Sequence, residues 1–372
     1  MQTVTETQLE INLDALAHNY KYLSSRLHKN TKIMAVVKAF GYGSDATAIA
    51  QALEKLGASY FAVAYAKEGI ALRNGSIQTP ILVLHPLPVN FQSIVDRCLE
   101  PAVYSNEMLE AFIDFAEENG LKSYPIHLKF NTGLNRLGFL KSELSQLLKR
   151  IEASSAVQIR SIFTHLVASE DPQERTFTQK QLKDFEGIVQ HSRSVLKYEP
   201  FYHTLNTSGI LNYPEAQNDM VRTGIGLYGF GNSDIENQNL RPVASLKTVI
   251  SQIHSVEIGE SVGYNRAFIA DIPMRTATLP LGHADGIPRA YGNGVGWVTI
   301  HGEKAPIVGN VCMDMIMVDV TDISCKAGDE VMVFGTNPTA GQLSEAIGSI
   351  PYELLTAISQ RVKRVLIPRN KV

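Results

Sequence analysis

Cysteine is scarce: Cys98, Cys312 and Cys325 are the only three in 372 residues. Thiols so few and so scattered suit neither a disulfide framework nor a zinc site, so a reducing, cytoplasmic setting is expected. Cys98 and Cys325 then read as small buried apolar residues. Long apolar runs are missing as well. No stretch of about 18 such residues occurs, and the opening MQTVTETQLEINLDAL has no basic segment leading into an apolar one. Neither a membrane span nor a secretory leader is expected. Charge of one sign is lacking too: the net charge is −3 with 19% charged residues, which gives no electrostatic case for nucleic acid or an anionic membrane surface. The expected partner is a small molecule or another protein. No internal repeat or low-complexity segment stands out.

What is present alternates in type from residue 13 to about 235. Helical spacing shows in Leu13, Leu16, Ala17, Tyr20, Leu23 and Leu27, and again over 46–56, 107–118 and 142–153. Between such segments lie short apolar runs: IMAVV at 33, YFAVA at 60, PILVL at 80, PIHLKF at 125, IRSIF at 159 and GIGLYGF at 224. Strands apolar on both faces that alternate with helices predict a parallel sheet covered by helices, an α/β fold. About eight strand-helix units fit, which predicts a closed (β/α)8 barrel of the TIM type. An open doubly wound sheet would need GxGxxG after the first strand, and KAFGYGSDA at 38–46 does not supply it. Gly57, Gly75 and Gly120 are each placed to end a helix with positive φ. After GNSDIENQNLRP at 231–242 the runs become short, β-branched and closely spaced by turns. A barrel over residues 1–238 and a C-terminal, mostly β domain over 239–372 are predicted, with one late helix near 340–347 or 352–358.

Lys38 ends the first apolar run, where an unpaired ammonium is costly to bury. Either it snorkels to water, or its amine is needed there in a particular state. Reactive residues of such barrels project from the carboxyl ends of the strands, and a partly desolvated lysine there can form an imine with a carbonyl. HTLNTSG at 203–209 and VRTGIGLYG at 221–229 combine small residues, hydroxyls and free amides in the positions where barrels bind phosphate. A lysine in the same pore suggests pyridoxal 5'-phosphate.

Seven segments then occur in one order: AVVKAFGYG, KFNTGLNRLGF at 129–139, HTLNTSG, VRTGIGLYG, VGYNRAF at 262–268, GHADGIPR at 282–289 and GNVCMDMIMVDV at 309–320. They closely resemble those of the alanine racemases, from about Glu10 to about Arg364. The resemblance implies a two-base interconversion of L- and D-alanine on pyridoxal 5'-phosphate, supplying D-alanine for peptidoglycan. By it Lys38 corresponds to the lysine that carries the cofactor and serves as one base. Tyr264 corresponds to the second base, reaching in from the other subunit of a homodimer, and His165 to the histidine that orients it. Arg222 answers to the arginine facing the pyridine nitrogen, backed by His203. Tyr42, Thr207, the amides of Gly224 and Ile225, and Tyr352 are similar to the phosphate contacts. Arg136, with Met313 and Asp314 from the second subunit, is similar to the substrate carboxylate site, and no metal is implied. Lys129 matches a lysine often N-carboxylated in the family.

Three positions depart from the commonest pattern. Ser44 replaces a histidine and is expected to be peripheral, His283 replaces a tyrosine near the access channel, and Asn131 replaces an aspartate. Broad racemases acting on serine, lysine or arginine fit the same motifs. Decarboxylases sharing the barrel are disfavoured by Arg222. A non-catalytic cofactor-binding barrel would not need the β domain.

Overall fold

In the computed structural model, which describes residues 4–367, the two-faced apolar runs become the staves of a closed barrel. Its eight parallel strands are Lys32–Val36, Tyr60–Val63, Ile81–Val83, Glu100–Val103, Tyr124–Lys129, Val157–Phe163, Phe201–His203 and Met220–Thr223. The first pairs with the last, Lys32 opposite Met220 and Ala35 opposite Thr223, so no edge remains open. Helices pack outside. Asn106–Glu118 buries Met108, Leu109, Phe112, Ile113 and Ala116, spaced three and four apart, and Ser105 Oγ caps it by accepting from the Met108 amide at 3.2 Å.

Of the staves, Glu100–Val103 and Phe201–His203 are absent from the runs read in the sequence, because they are only four and three residues long and Glu100 and His203 break their apolar character. GIGLYGF at 224–230 is not a strand. Met220–Thr223 is the eighth stave, and Ile225–Tyr228 coils into a 3-10 turn ended by Gly229 at φ 98°. Gly57 and Gly120 take φ of 94° and 64° as expected, but Gly75 ends its helix at φ −81°. Cys98 is exposed, not buried, and Cys325 is half-buried.

The other strands form a nine-stranded sheet and a two-stranded one, Ser261–Val262 with Phe268–Ile269. Strand Gln8–Asn12, inside the 1–238 span expected of the barrel, belongs to the nine-stranded sheet instead. It pairs antiparallel with Ala244–Val249 and parallel with Lys363–Ile367. Asn12 ends this strand and caps the first barrel helix, Leu13–Ser25, through Oδ1. The two units are therefore joined directly at Asn12, which ends a strand of one and caps a helix of the other. Both late helices form, Ala340–Glu345 and Pro351–Ala357, and the second lies against the mouth of the barrel. Among the described residues no helix is long and apolar enough to cross a membrane.

Candidate active site

The carboxyl ends of the barrel strands surround a cavity of about 520 Å³ with no acidic residue in its lining. Lys38 opens the turn that follows the first stave. Every residue from Ala39 to Gly43 has positive φ, at 52°, 56°, 65°, 53° and 79°. Left-handed backbone costs L-residues roughly 1–2 kcal/mol each, so this turn is held against its preference. Glu68 does much of the holding: its carboxylate accepts from the amides of Ala39 and Ala64, both at 2.7 Å, and Tyr65 at 3.2 Å. From the other unit, Arg364 Nη2 donates to the Gly43 carbonyl at 2.9 Å. Glycine is required at 43, because a Cβ would stand 1.9 Å from the Leu355 carbonyl oxygen. Ser44, expected to be peripheral, is buried where this turn ends.

The turn delivers the Lys38 amine into a cluster of cations. Burial, then the charge of Arg136, lowers its pKa, and Glu68 offsets part of that. Lys129, on the fifth stave, is 7% exposed and is pushed down to about 8 by burial and then by Arg136, Arg222 and Lys38. A cavity so cationic and free of carboxylates suits an anion. Asn131 serves its own loop, accepting from the amides of Gly133 and Asn135 at 3.1 and 3.0 Å.

Arg222 lies on the eighth stave. Its Nη1 donates to His203 Nδ1 at 2.5 Å and to the His203 carbonyl at 3.2 Å. Its Nη2 donates to the carbonyls of Thr164 at 2.6 Å and Thr204 at 3.0 Å, with His165 Nδ1 at 3.3 Å. Among the described residues no acceptor faces Nε, so that N–H is the donor left for a group in the cavity. His203 is off the cavity wall: it supports Arg222 from behind rather than binding a cofactor directly.

Tyr42, Thr207, Gly224, Ile225 and Tyr352 meet at one end of the cavity. A Cβ at Gly224 would lie 2.2 Å from the Tyr42 hydroxyl, so only glycine leaves room for that hydroxyl beside the turn. The amides at the start of the 3-10 turn have no partner within it. Tyr42 stacks on Tyr228 with centroids 4.5 Å apart, and burial pushes its hydroxyl above the usual range, keeping it a donor. The Tyr352 hydroxyl is pushed up to about 12, also chiefly by burial. Among the described residues the Gly224 and Ile225 amides and Arg222 Nε–H have no acceptor, and with the protonated hydroxyls they fit a phosphorylated pyridine.

Three expected residues are elsewhere. Tyr264, in a 3-10 turn of the β-rich unit, is 74% exposed and borders a separate hollow with Met313 and Asp314. Asp314 accepts from Arg361 Nη2 at 2.7 Å. Sequence reasoning missed Tyr65, Leu84, His85, Leu137, Asn206 and Asn232 in the cavity wall. Tyr65, Leu84, His85 and Asn206 come just after staves end, the signal that could have found them.

Comparison with known proteins follows the same two-unit division. Residues 11–231 match the model for "Alanine racemase, N-terminal domain", and residues 243–366 match that for "Alanine racemase, C-terminal domain". "Alanine racemase 1" of Clostridium acetobutylicum is 36% identical over 373 residues, 98% of this chain and 96% of that protein. The solved alanine racemase of Clostridium difficile 630 superposes with a TM-score of 0.92 at 33% identity, covering 100% of this chain and 97% of that one. An alanine racemase from Bartonella henselae, solved with covalently bound pyridoxal phosphate, gives 0.87 at 30% identity, covering 97% and 99%.

Proposed function

The chain belongs to the alanine racemase family, and from that premise we propose that its cavity holds pyridoxal 5'-phosphate on Lys38 and interconverts L- and D-alanine. The observation that carries this is the division of the site. A desolvated lysine stands in a carboxylate-free cationic cavity, while the one tyrosine suited to be its counterpart is exposed outside it. A partner subunit's Tyr264 would complete the cavity, and two such sites form in a symmetric homodimer. On this reading the chain up to about residue 238 supplies one base, and the unit after it supplies the other.

Bound there, the cofactor would acidify the substrate Cα–H by drawing electron density from that carbon. Lys38 Nζ is uncharged more readily than an ordinary lysine, so it can exchange a proton at one face of Cα. Tyr264 of the partner subunit exchanges one at the opposite face, which inverts the centre. His165 prepares for that tyrosine. Arg222 can only donate, so His165 Nδ1 accepts. Burial, then the neighbouring cations, keep the ring neutral, which leaves Nε2–H to donate to the phenolic oxygen. Arg136, in the cavity wall, would take the substrate carboxylate, joined by the Met313 amide of the partner subunit with Asp314 behind it. Lys129, N-carboxylated, would give Arg136 an anionic neighbour. The product would supply D-alanine for peptidoglycan in the cytoplasm.

D-Alanine formation from L-alanine tests the reading. Turnover is expected from the cofactor-loaded wild type and none from Lys38→Ala; an inactive wild type with cofactor bound would refute it. Tyr264→Phe should lose racemisation but keep the visible absorbance, and a fully active monomer by light scattering would sink the shared site.

A further inference from the structure

Beneath the cavity a file of polar groups runs through the barrel core, where apolar side chains ordinarily fill the layers. Glu100 and Tyr60 are the first residues of their staves, so they lie at the floor of the barrel, while Arg222 lies near the mouth. Between them His127, Ser161 and His203 are wholly buried. His203 Nδ1 lies 2.5 Å from Arg222 Nη1, and His203 Nε2 lies 2.8 Å from Ser161 Oγ. Ser161 Oγ is in turn 2.6 Å from His127 Nδ1, whose Nε2 is 2.7 Å from Glu100 Oε2. The Tyr60 hydroxyl donates to the same carboxylate oxygen at 3.1 Å.

One constraint orients the whole file. A guanidinium has no acceptor, so His203 Nδ1 must accept from it. Burial, then Arg222, holds the His203 ring neutral. Its single hydrogen is therefore on Nε2 and goes to Ser161 Oγ. The Ser161 hydroxyl has one acceptor left among the described residues, His127 Nδ1, so His127 carries its hydrogen on Nε2 and donates to Glu100. Were His127 protonated on both nitrogens, Ser161 would accept twice and its own buried hydrogen would have no partner.

We propose that Glu100, His127 and Ser161 are positioning residues for the reaction: they form a one-directional hydrogen-bond chain, ending on a carboxylate, that fixes His203 as an acceptor and holds Arg222 with Nε–H free for the cofactor ring nitrogen. This rests on the placement of Arg222 given above. Each link is charge-assisted or fully buried, so the chain resists reversal.

The test uses the cofactor-loaded full chain labelled with ¹⁵N at histidine, with resonances assigned from His127→Gln and His203→Gln. Long-range ¹H–¹⁵N spectra should show both rings neutral, protonated at Nε2 and bare at Nδ1. An Nδ1–H tautomer of either ring, or a doubly protonated His127, overturns the proposal. Ser161→Ala removes one oxygen, and Glu100→Gln keeps shape and an acceptor but removes the charge. Both should shift the visible band and lower kcat about tenfold with little change in KM. Variants that lose only melting temperature, with band and kcat unchanged, make the chain merely structural and overturn it. Arg222→Lys separates the two readings: an unmoved band there refutes the placement of Arg222 even where the tautomers stand.

Discussion

Replacing Lys129 with methionine removes a cation that the fold buries among three others. Lys129 sits 7% exposed with its pKa pushed down to about 8 from the ordinary 10.5, so the folded protein releases that proton sooner than the unfolded chain. The sign follows from linkage. Between the two values the unfolded state binds more protons, so wild-type stability rises with pH through that window. From pH 7 to pH 9.5 the wild type should gain about 2 kcal/mol relative to Lys129→Met. Denaturant melts of both proteins in carbon-dioxide-free buffer, at one protein concentration, measure the difference. A wild-type minus variant difference that stays flat across this range refutes a buried, cation-crowded amine. Bicarbonate adds a second arm. A depressed pKa leaves about a quarter of the amine neutral at pH 7.5, where an ordinary lysine is almost wholly charged. Carboxylation of that amine would replace repulsion with attraction to Arg136, Arg222 and Lys38. Bicarbonate should then stabilise the wild type and not the variant.

Gly43→Ala forces a Cβ to 1.9 Å from the Leu355 carbonyl in backbone at φ 79°. It should lower the melting temperature and the cofactor content together, by roughly 3 kcal/mol or more in stability. Glu68→Gln cannot accept from three amides as a carboxylate does, and should cost about 2 kcal/mol in a denaturant melt while weakening aim of Lys38. Gly224→Ala puts a methyl 2.2 Å from the Tyr42 hydroxyl. Titration with pyridoxal 5'-phosphate should show about tenfold weaker binding, with melting of the cofactor-free protein changed far less.

Lys38 was legible because a strand-end lysine before Gly-Tyr-Gly contradicts the burial pattern around it, and contradictions of that kind mark chemistry. The end of the cavity proposed to take phosphate was legible from composition, as small residues and hydroxyls cluster in HTLNTSG and VRTGIGLYG. GIGLYGF was misread since an unbroken apolar run has no period, and its positive φ at Gly229 appears only in three dimensions. Glu68 could not be seen at all. It lies 29 residues from Ala39, whose amide it holds, and a glutamate in the first turn of a helix is otherwise an ordinary dipole partner. Glu100, His127 and Ser161 gave no signal either, because each stands on a different stave and meets the others only when the barrel closes.

By itself the sequence determined the alternation of two-faced strands with helices, the change to a β-rich unit, and the residue types for imine, phosphate and proton chemistry. Those depend on local spacing and on side-chain identity, which the chain carries wherever it goes. Tertiary structure alone decided the state of those groups. The pKa of the Lys38 amine is lowered because barrel closure removes water and brings Arg136 beside it, and Arg222 has one free N–H because its four others are directed at groups at the ends of the sixth and seventh staves. Tertiary structure also decided that Tyr264 faces outward, 74% exposed, so that a single folded chain keeps Lys38 in its cavity and leaves the tyrosine proposed as its counterpart outside it. Charge and hydrogen bonding are properties of neighbours, and most of these neighbours are far apart in the chain.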